Sequence, residues 1–418
     1  MSAFPRRTVE HATCLGCGCA CDDIAVVVEG DRVAEAQNAC ALGLAWFGDG
    51  RVPGEVRVDG GPAPLERALA RAAEILRAAA RPLVYLAGDL SCEVQRDGVA
   101  IADRLHAAID SLAATAAASV LAAQRRGRAA ATLGEIRQRA DCLVFWAVDP
   151  AARYPRYRSR YAVDPVGLQT PDGRRSRTVV AVDVGPARGP ADADRRVTLA
   201  PADEVDALGV MRAAVQGRQG SDDPRFQPAV ELAHELARAR YAVIVADAEP
   251  LDAAPADPDR AEALVALAQA LNGPTRCALS TLRGGGNRSG ADAVLTWQTG
   301  FPYAVDFAPG YPRYRPHAGA AALLAAGEVD AALVLGAPAS LPAAVAQGLG
   351  AVTAVAIGPR ASAAPCRPAV AIDTGIAGVH DGGTAFRMDD VPLPLRPALP
   401  GPREAAATVR ALRERLEA

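Results

Sequence analysis

The chain contains no lysine: all 45 of its cationic side chains other than histidine are arginine. That removes lysine Schiff-base chemistry and the lysine of a phosphate-binding P-loop from consideration. Aromatic residues are scarce, 4% of 418, so alanine, valine and leucine must build the cores. The five histidines form no H-x-H, H-x3-H or H-E-x-x-H pair, which leaves histidine-based hydrolytic zinc chemistry without a footing. No segment approaches ~18 uninterrupted strongly apolar residues, the length of a membrane span. There is no basic excess either, the net charge being -3, so no phosphate-tracking groove for nucleic acid is expected. Behind Arg6 and Arg7 the stretch from Met1 to His11 has no apolar run and does not read as a secretory signal. The expected address is cytoplasmic, and nine cysteines kept reduced there suggest metal or reactivity more readily than disulfides.

At ~150 residues per domain the length predicts two to three domains. Residues 1–60 combine a cysteine cluster with a hairpin, Ile24 to Val28 and Val33 to Ala36 about the turn Glu29-Gly30-Asp31. From Leu65 an amphipathic helix (Leu65, Leu69, Ala72, Leu76) leads into the apolar run Leu83 to Ala87. The same rhythm returns at Cys142 to Val148, Thr178 to Asp183, Tyr241 to Asp247, Cys277 to Leu282 and Ala331 to Gly336. Such alternation predicts an α/β architecture with doubly wound sheets. The glycine-bearing connector Gln216 to Pro224 suggests α/β domains over 61–216 and 217–418, with interleaving possible. Pro150 to Arg177, with seven arginines and Tyr154, Tyr157 and Tyr161, has no clean period and reads as a long ordered loop, its Arg153 to Tyr161 stretch a candidate surface for a partner or ligand. Arg403 to Leu416 reads as a helix.

The sharpest motif is Cys14-Leu15-Gly16-Cys17-Gly18-Cys19-Ala20-Cys21, completed by Cys40. Taken as Cys14, Cys17, Cys21 and Cys40 it reads C-x2-C-x3-C with a distant fourth thiolate, an arrangement suited to a four-iron four-sulfur cluster. Gly16 and Gly18 would let the backbone wrap the cluster, and Cys19 is the spare. A tetrahedral zinc site and an empty remnant stay open. Cys142 and Cys277, in apolar runs, read as small buried hydrophobes, and Cys92 as packed rather than reactive. His106 and His234 fall in helical stretches, whereas His317 and His380 lie in glycine-bearing loops, where a surface position is favoured over ligand contact. The run Arg283-Gly284-Gly285-Gly286-Asn287-Arg288-Ser289-Gly290 follows a strand, where a backbone anion cradle belongs. Arg283, Asn287 and Arg288 are its candidate cofactor-binding residues, and a plain tight loop is the alternative. Trp297 to Tyr303 and Gly310 to Tyr314 gather much of the aromatic content.

Four blocks together carry a resemblance: Cys21-Asp22-Asp23-Ile24, Thr132-Leu133-Gly134-Glu135, Trp297 to Tyr303 with Val305-Asp306-Phe307, and Gly383-Thr384-Ala385-Phe386-Arg387-Met388-Asp389. As a set they resemble the B subunit of formylmethanofuran dehydrogenase. The resemblance implies a molybdopterin-oxidoreductase fold, one four-iron cluster at the N-terminal cysteines, and a tungsten or molybdenum bis-pterin held by a cysteine or selenocysteine followed by histidine. That pair would lie between Ile109-Asp110 and Thr132, yet Ser111 to Gln124 contains neither cysteine nor histidine. The implied branch is the bacterial formyltransferase/hydrolase complex, in which a similar B subunit does no redox chemistry and the pterin is absent. Its implied partners are an amidohydrolase-like A subunit, a C subunit and a formyltransferase D subunit, with a methanofuran-type polyglutamate arm as possible ligand. A working tungsten or molybdenum oxidoreductase and a cluster-free structural protein are the alternatives.

Overall fold

A computed structural model describes residues 6–218, 221–249 and 258–418; residues 1–5 of the N-terminal stretch and residues 219–220 of the 216–224 connector lie outside the described residues. Strands β1 (Arg6–Ala12), β2 (Ile24–Glu29) and β3 (Arg32–Gln37) form an antiparallel sheet in that order. Gly30, at φ 63°, supplies the positive φ that the two-residue β2–β3 connection requires. Helix α1 (Ala41–Phe47) follows, then β4 (Val56–Val58), β5 (Gly61–Pro62), α2 (Leu65–Ala78), β6 (Pro82–Leu86), α3 (Cys92–Arg104) and β7 (Ala108–Ser111). On α2 the buried residues Ala68, Leu69, Ala72, Ala73, Ile75 and Leu76 recur at helical spacing and face the core.

Residues 116–283 form one compact unit and residues 1–115 with 284–418 the other. The inserted unit holds α4 (Ala117–Arg126), α5 (Leu133–Arg139), β8 (Cys142–Trp146), β9 (Thr178–Val184), β10 (Arg195–Leu199), α6 (Glu204–Val215), α7 (Gln227–Arg238), β11 (Tyr241–Asp247), α8 (Pro258–Leu271) and β12 (Arg276–Leu282). Its five strands are all parallel, in the order β10-β9-β8-β11-β12. The chain winds outward from β8 to β10 and then crosses to β11, so the direction reverses between β8 and β11. One face, with Val144, Trp146, Val180, Ile244 and Leu279, packs on α6, α7 and α8. Thr132 caps α5, its hydroxyl accepting from Glu135 N–H at 3.0 Å.

The chain returns through α9 (Arg288–Thr299), β13 (Val305–Asp306), β14 (Arg313–Tyr314), α10 (Ala320–Ala325), β15 (Ala331–Leu335), α11 (Ala343–Leu349), β16 (Thr353–Gly358), β17 (Val370–Asp373), β18 (Gly383–Phe386), β19 (Pro392–Leu395) and α12 (Ala405–Glu417). A nine-stranded sheet runs β14-β13-β7-β6-β15-β16-β17-β4-β5; its central five strands are parallel and the outer four antiparallel. α2, α3, α9 and α12 contribute to the core on one face, α10 and α11 to the core on the other. The architecture is mixed α/β with several sheets. No helix among the described residues is long and apolar enough to cross a membrane.

Candidate functional site

The cysteine loop joins β1 to β2 and closes on itself, Cys14 N–H donating to Cys21 O at 2.9 Å and Ala20 N–H to Cys17 O at 3.1 Å. Cys14, Cys17, Cys19 and Cys21 are buried, and Cys40, just ahead of α1, is half-buried. Gly16 N–H points at Cys14 Sγ at 3.4 Å, a contact that favours a thiolate. Burial raises the Cys14 thiol well above its ordinary range, and the negative charges that Cys17, Cys21 and Cys40 would carry raise it further. The thiols therefore sit within electrostatic reach of one another. A hydrogen bond to Cys17 and burial raise the Cys19 thiol well above its ordinary range. Among the described residues no three His, Cys, Asp or Glu side chains draw in to the spacing of a single metal ion. Thiolate sulfur is the donor type that iron–sulfur clusters take.

Two elements clamp this loop. A Cβ on Gly16 would lie 2.8 Å from Leu42 O, so only glycine lets the loop rest on α1. A Cβ on Gly285 would lie 2.1 Å from Leu15 O, and Gly286 N–H donates to that carbonyl at 2.8 Å. On its far side the glycine-rich run accepts Asp89 N–H at Gly286 O, 3.0 Å. Its glycines thus permit backbone-to-backbone approach between the cysteine loop and the turn after β6.

The three candidate residues of that run are placed differently. Arg283 ends the inserted unit, buried, with Nε 3.8 Å from the buried Glu249. Asn287, buried in a left-handed conformation at φ 61°, donates to Leu90 O at 2.8 Å and Cys92 Sγ at 3.6 Å and accepts from Phe386 N–H at 2.8 Å. Arg288 opens α9, donates to Thr115 Oγ1 at 3.3 Å and counters the desolvation that pushes Asp89 up to about 6.

The interval that lacks cysteine and histidine spans a 3-10 turn, Leu112–Ala116, and α4. Just before it, Asp110 is buried and accepts from Ser111, Ala304 and Ala320 N–H at 2.8, 3.2 and 2.7 Å. In the inserted unit, burial lifts Asp247 at the end of β11 to about 6, and Arg153 bonds it at 2.5 Å. Sequence patterning misses these three carboxylates, Asp89, Asp110 and Asp247; the signal that could have found them is their position at strand ends. Beside the cysteine loop a pocket of about 320 Å3 is lined by His11, Thr13, Asp22, Pro394 and Arg396.

Other readings resolve by burial. Cys142 and Cys277 are buried with thiols pushed up to about 12, and Cys92, raised to about 11 mainly by desolvation, is packed. His380 is buried rather than on a surface loop: Nδ1 accepts from Ile376 N–H at 3.1 Å and Nε2 meets Gly50 O at 2.7 Å. Tyr154, Tyr157 and Tyr161 are also buried and are not available to a partner or ligand. Their segment carries a π-helical turn, Tyr157–Ala162, that packs against α5, with Tyr157 hydroxyl 3.0 Å from Ser280 Oγ and its ring edge-on to Phe145.

Comparison with known proteins places this geometry. The chain is 31% identical over 415 residues, 95% of each chain, to the B subunit of tungsten-containing formylmethanofuran dehydrogenase 2 from Methanocaldococcus jannaschii. It is 30% identical over 426 residues, 94% of each chain, to the B subunit of the same name from Methanococcus maripaludis. It matches a chain of the X-ray crystal structure of the formyltransferase/hydrolase complex (FhcABCD) from Methylorubrum extorquens in complex with methylofuran, with TM-score 0.71 and 26% identity over 87% of this chain and 98% of that one. No protein-family profile matches. With relatives above the level of chance likeness across nearly its whole length, the chain belongs to the family of formylmethanofuran dehydrogenase B subunits.

Proposed function

We propose that this chain is the non-redox B subunit of a formyltransferase/hydrolase complex, a scaffold for the transfer and hydrolysis of formyl groups carried on a methanofuran-type cofactor and tetrahydromethanopterin. The observation that carries the reading is the segment Ser111 to Gln124, which offers no thiolate and no imidazole where the redox members of the family would ligate tungsten or molybdenum. The likeness to a chain of the Methylorubrum complex supports the same choice between branches. In this reading the catalytic groups belong to amidohydrolase-like A and formyltransferase D subunits, which assemble with this chain and a C subunit in the cytoplasm, and the molybdopterin-type fold is inherited without its pterin.

Cys14, Cys17, Cys21 and Cys40 would hold a four-iron cluster, which when bound supplies a covalent staple for the 13–47 region and an electron store that this chain has no partner site to use. Arg288 would meet a carboxylate of a polyglutamate arm, with Asn287 fixing the loop rather than touching the arm and Arg283 buried beside Glu249 in the inserted unit. The deciding experiment is a metal inventory of the intact complex purified without oxygen, combined with assays of formate release and of viologen-linked formylmethanofuran oxidation. Formate release without stoichiometric tungsten or molybdenum is expected. Stoichiometric pterin metal together with viologen reduction would make the chain a catalytic dehydrogenase subunit instead.

A further inference from the structure

The short helix beside the cysteine loop carries an indole whose donor is left over. Trp46 is half-buried on α1, and its Nε1 atom is shut off from solvent with no hydrogen-bond acceptor among the described residues. An indole N–H can only donate, and a buried one ordinarily finds an acceptor, because its lost hydration is otherwise uncompensated. The fully buried Trp146 follows that rule, its Nε1–H donating to Glu204 at 2.6 Å.

The surroundings of Trp46 belong to the cysteine loop. Trp46 packs against the apolar group that includes Leu15 and Ala20, and a Cβ on Gly16 would lie 3.4 Å from Trp46 Cβ. Gly43 precedes Trp46 by about one helical turn, and a Cβ on it would lie 3.4 Å from Cys14 Sγ. A helical side chain leans over the turn N-terminal to its own Cα, so the indole leans toward the turn that faces Cys14. Four carbonyls of the loop are already engaged: Leu15 O accepts from Gly286 N–H at 2.8 Å, Cys17 O from Ala20 at 3.1 Å, Gly18 O from Met388 at 3.0 Å and Cys21 O from Cys14 at 2.9 Å. The loop is rich in another acceptor, sulfur. A neutral thiol accepts weakly, whereas an ionised acceptor binds an N–H roughly twice as strongly as a neutral one.

We propose that Trp46 is a hydrogen-bond donor to the iron–sulfur cluster, holding its Nε1–H toward a sulfide or a ligating thiolate. The proposal rests on the four-iron reading above and adds to the four cysteines a residue that tunes what they hold. Hydrogen bonds to cluster sulfurs favour the more negative, reduced form and so raise the reduction potential.

The test uses the intact complex purified without oxygen, with tryptophan labelled by nitrogen-15 at the indole nitrogen. In the dithionite-reduced wild type, pulsed electron paramagnetic resonance should show a nitrogen-15 coupling to the cluster spin. Trp297→Phe, which removes an exposed indole, should keep that coupling. Trp46→Phe should lose it at unchanged iron and sulfide content. The same variant should lower the potential: a bond that tightens about tenfold on reduction is worth ~59 mV to a one-electron couple. If Trp46→Phe fails to load, Trp46→benzothienylalanine repeats the comparison, keeping the shape of the indole without its N–H. A wild-type cluster without nitrogen-15 coupling, or a Trp46→Phe cluster that keeps the coupling or the wild-type potential, overturns the donor assignment while leaving the cluster reading intact. A wild-type complex that holds no iron overturns both.

Discussion

Replacing Asn287 with alanine separates a structural role from a ligand-binding one. The side-chain amide satisfies two buried backbone groups at once, Leu90 O at 2.8 Å and Phe386 N–H at 2.8 Å, and thereby ties the turn after β6, the start of α9 and β18 together. Truncation leaves both groups unpaired, at about 1–3 kcal/mol each. It also puts alanine at φ 61°, a region asparagine tolerates and alanine does not, adding roughly 1 kcal/mol. The sum is about 3–7 kcal/mol, a large share of the ~5–15 kcal/mol that holds a domain folded. Asn287→Asp keeps the acceptor for Phe386 but turns a carboxylate on Leu90 O, so it should also destabilise. Urea unfolding followed by tryptophan fluorescence is the assay; Trp46 and Trp297 report on the discontinuous unit and Trp146 on the inserted one. If Asn287→Ala shifts the transition by less than about 1 kcal/mol, below the cost of even one orphaned group, Asn287 is not the tie that its hydrogen bonds suggest. A role in touching cofactor would then be the better account.

Burial lowers the His380 pKa, so its stabilising contribution is complete above the unfolded value near 6.5 and is lost as pH falls from there toward the folded value. The slope added by one such group is up to about 1.4 kcal/mol per pH unit; urea midpoints between pH 7.5 and 5 should fall less steeply in His380→Asn, and equal slopes would remove His380 as the cause. Asp97 on α3 bonds Arg413 of the C-terminal helix, with Arg410 4.0 Å away. Because both arginines keep solvent contact, Asp97→Ala should cost only about 1–2 kcal/mol, less than a fully buried pair, and should raise amide exchange along α12 before anything else; exchange unchanged there would refute the docking role.

The apolar runs were the legible part of the fold. Tyr241 to Asp247 reads as a strand over the same residues that form β11, because a strand buried on both faces of a parallel sheet must be a continuous apolar run. The segment from Pro150 to Arg177 was not legible, since a π-helical turn has neither the 3.6 nor the 2.0 period on which sequence patterns rest. Its tyrosines looked like surface anchors because aromatic and arginine residues together mark interfaces; what decides their burial is α5 and Ser280, more than a hundred residues away in the latter case. The glycine-rich run was visible as a place of close approach, but glycine reports only that something comes near. Whether a phosphate or the cysteine loop comes near is set by β1 to β2, at the other end of the chain. His380 fails for the same reason, its partner Gly50 lying 330 residues away.

The cysteine loop poses the remaining question of why a chain without a metal-ligating thiolate in its 111–124 segment keeps five thiols at its N-terminus. The answer that fits the packing is mechanical. The loop contacts α1 through Gly16, the glycine-rich run through Leu15 O, and the turn after β18 through Met388 N–H to Gly18 O at 3.0 Å, so three separate elements depend on its shape. Its own apolar support is small, Leu15 and Ala20 with Ala377, Ala385, Leu393 and Leu395. A metal cluster there would contribute its binding free energy directly to holding those elements. Two results should follow. Burial keeps the unloaded Cys14 thiol protonated, so loading must release its proton, and the yield of iron and sulfide incorporation should rise with pH. Cys40→Ser should lower iron content and raise amide exchange in residues 13–23 and 41–47, with no change in the inserted unit. Iron incorporation independent of pH, or exchange in 13–23 that is the same with and without iron, would mean that the loop holds its shape without metal and that the thiols are retained for another reason.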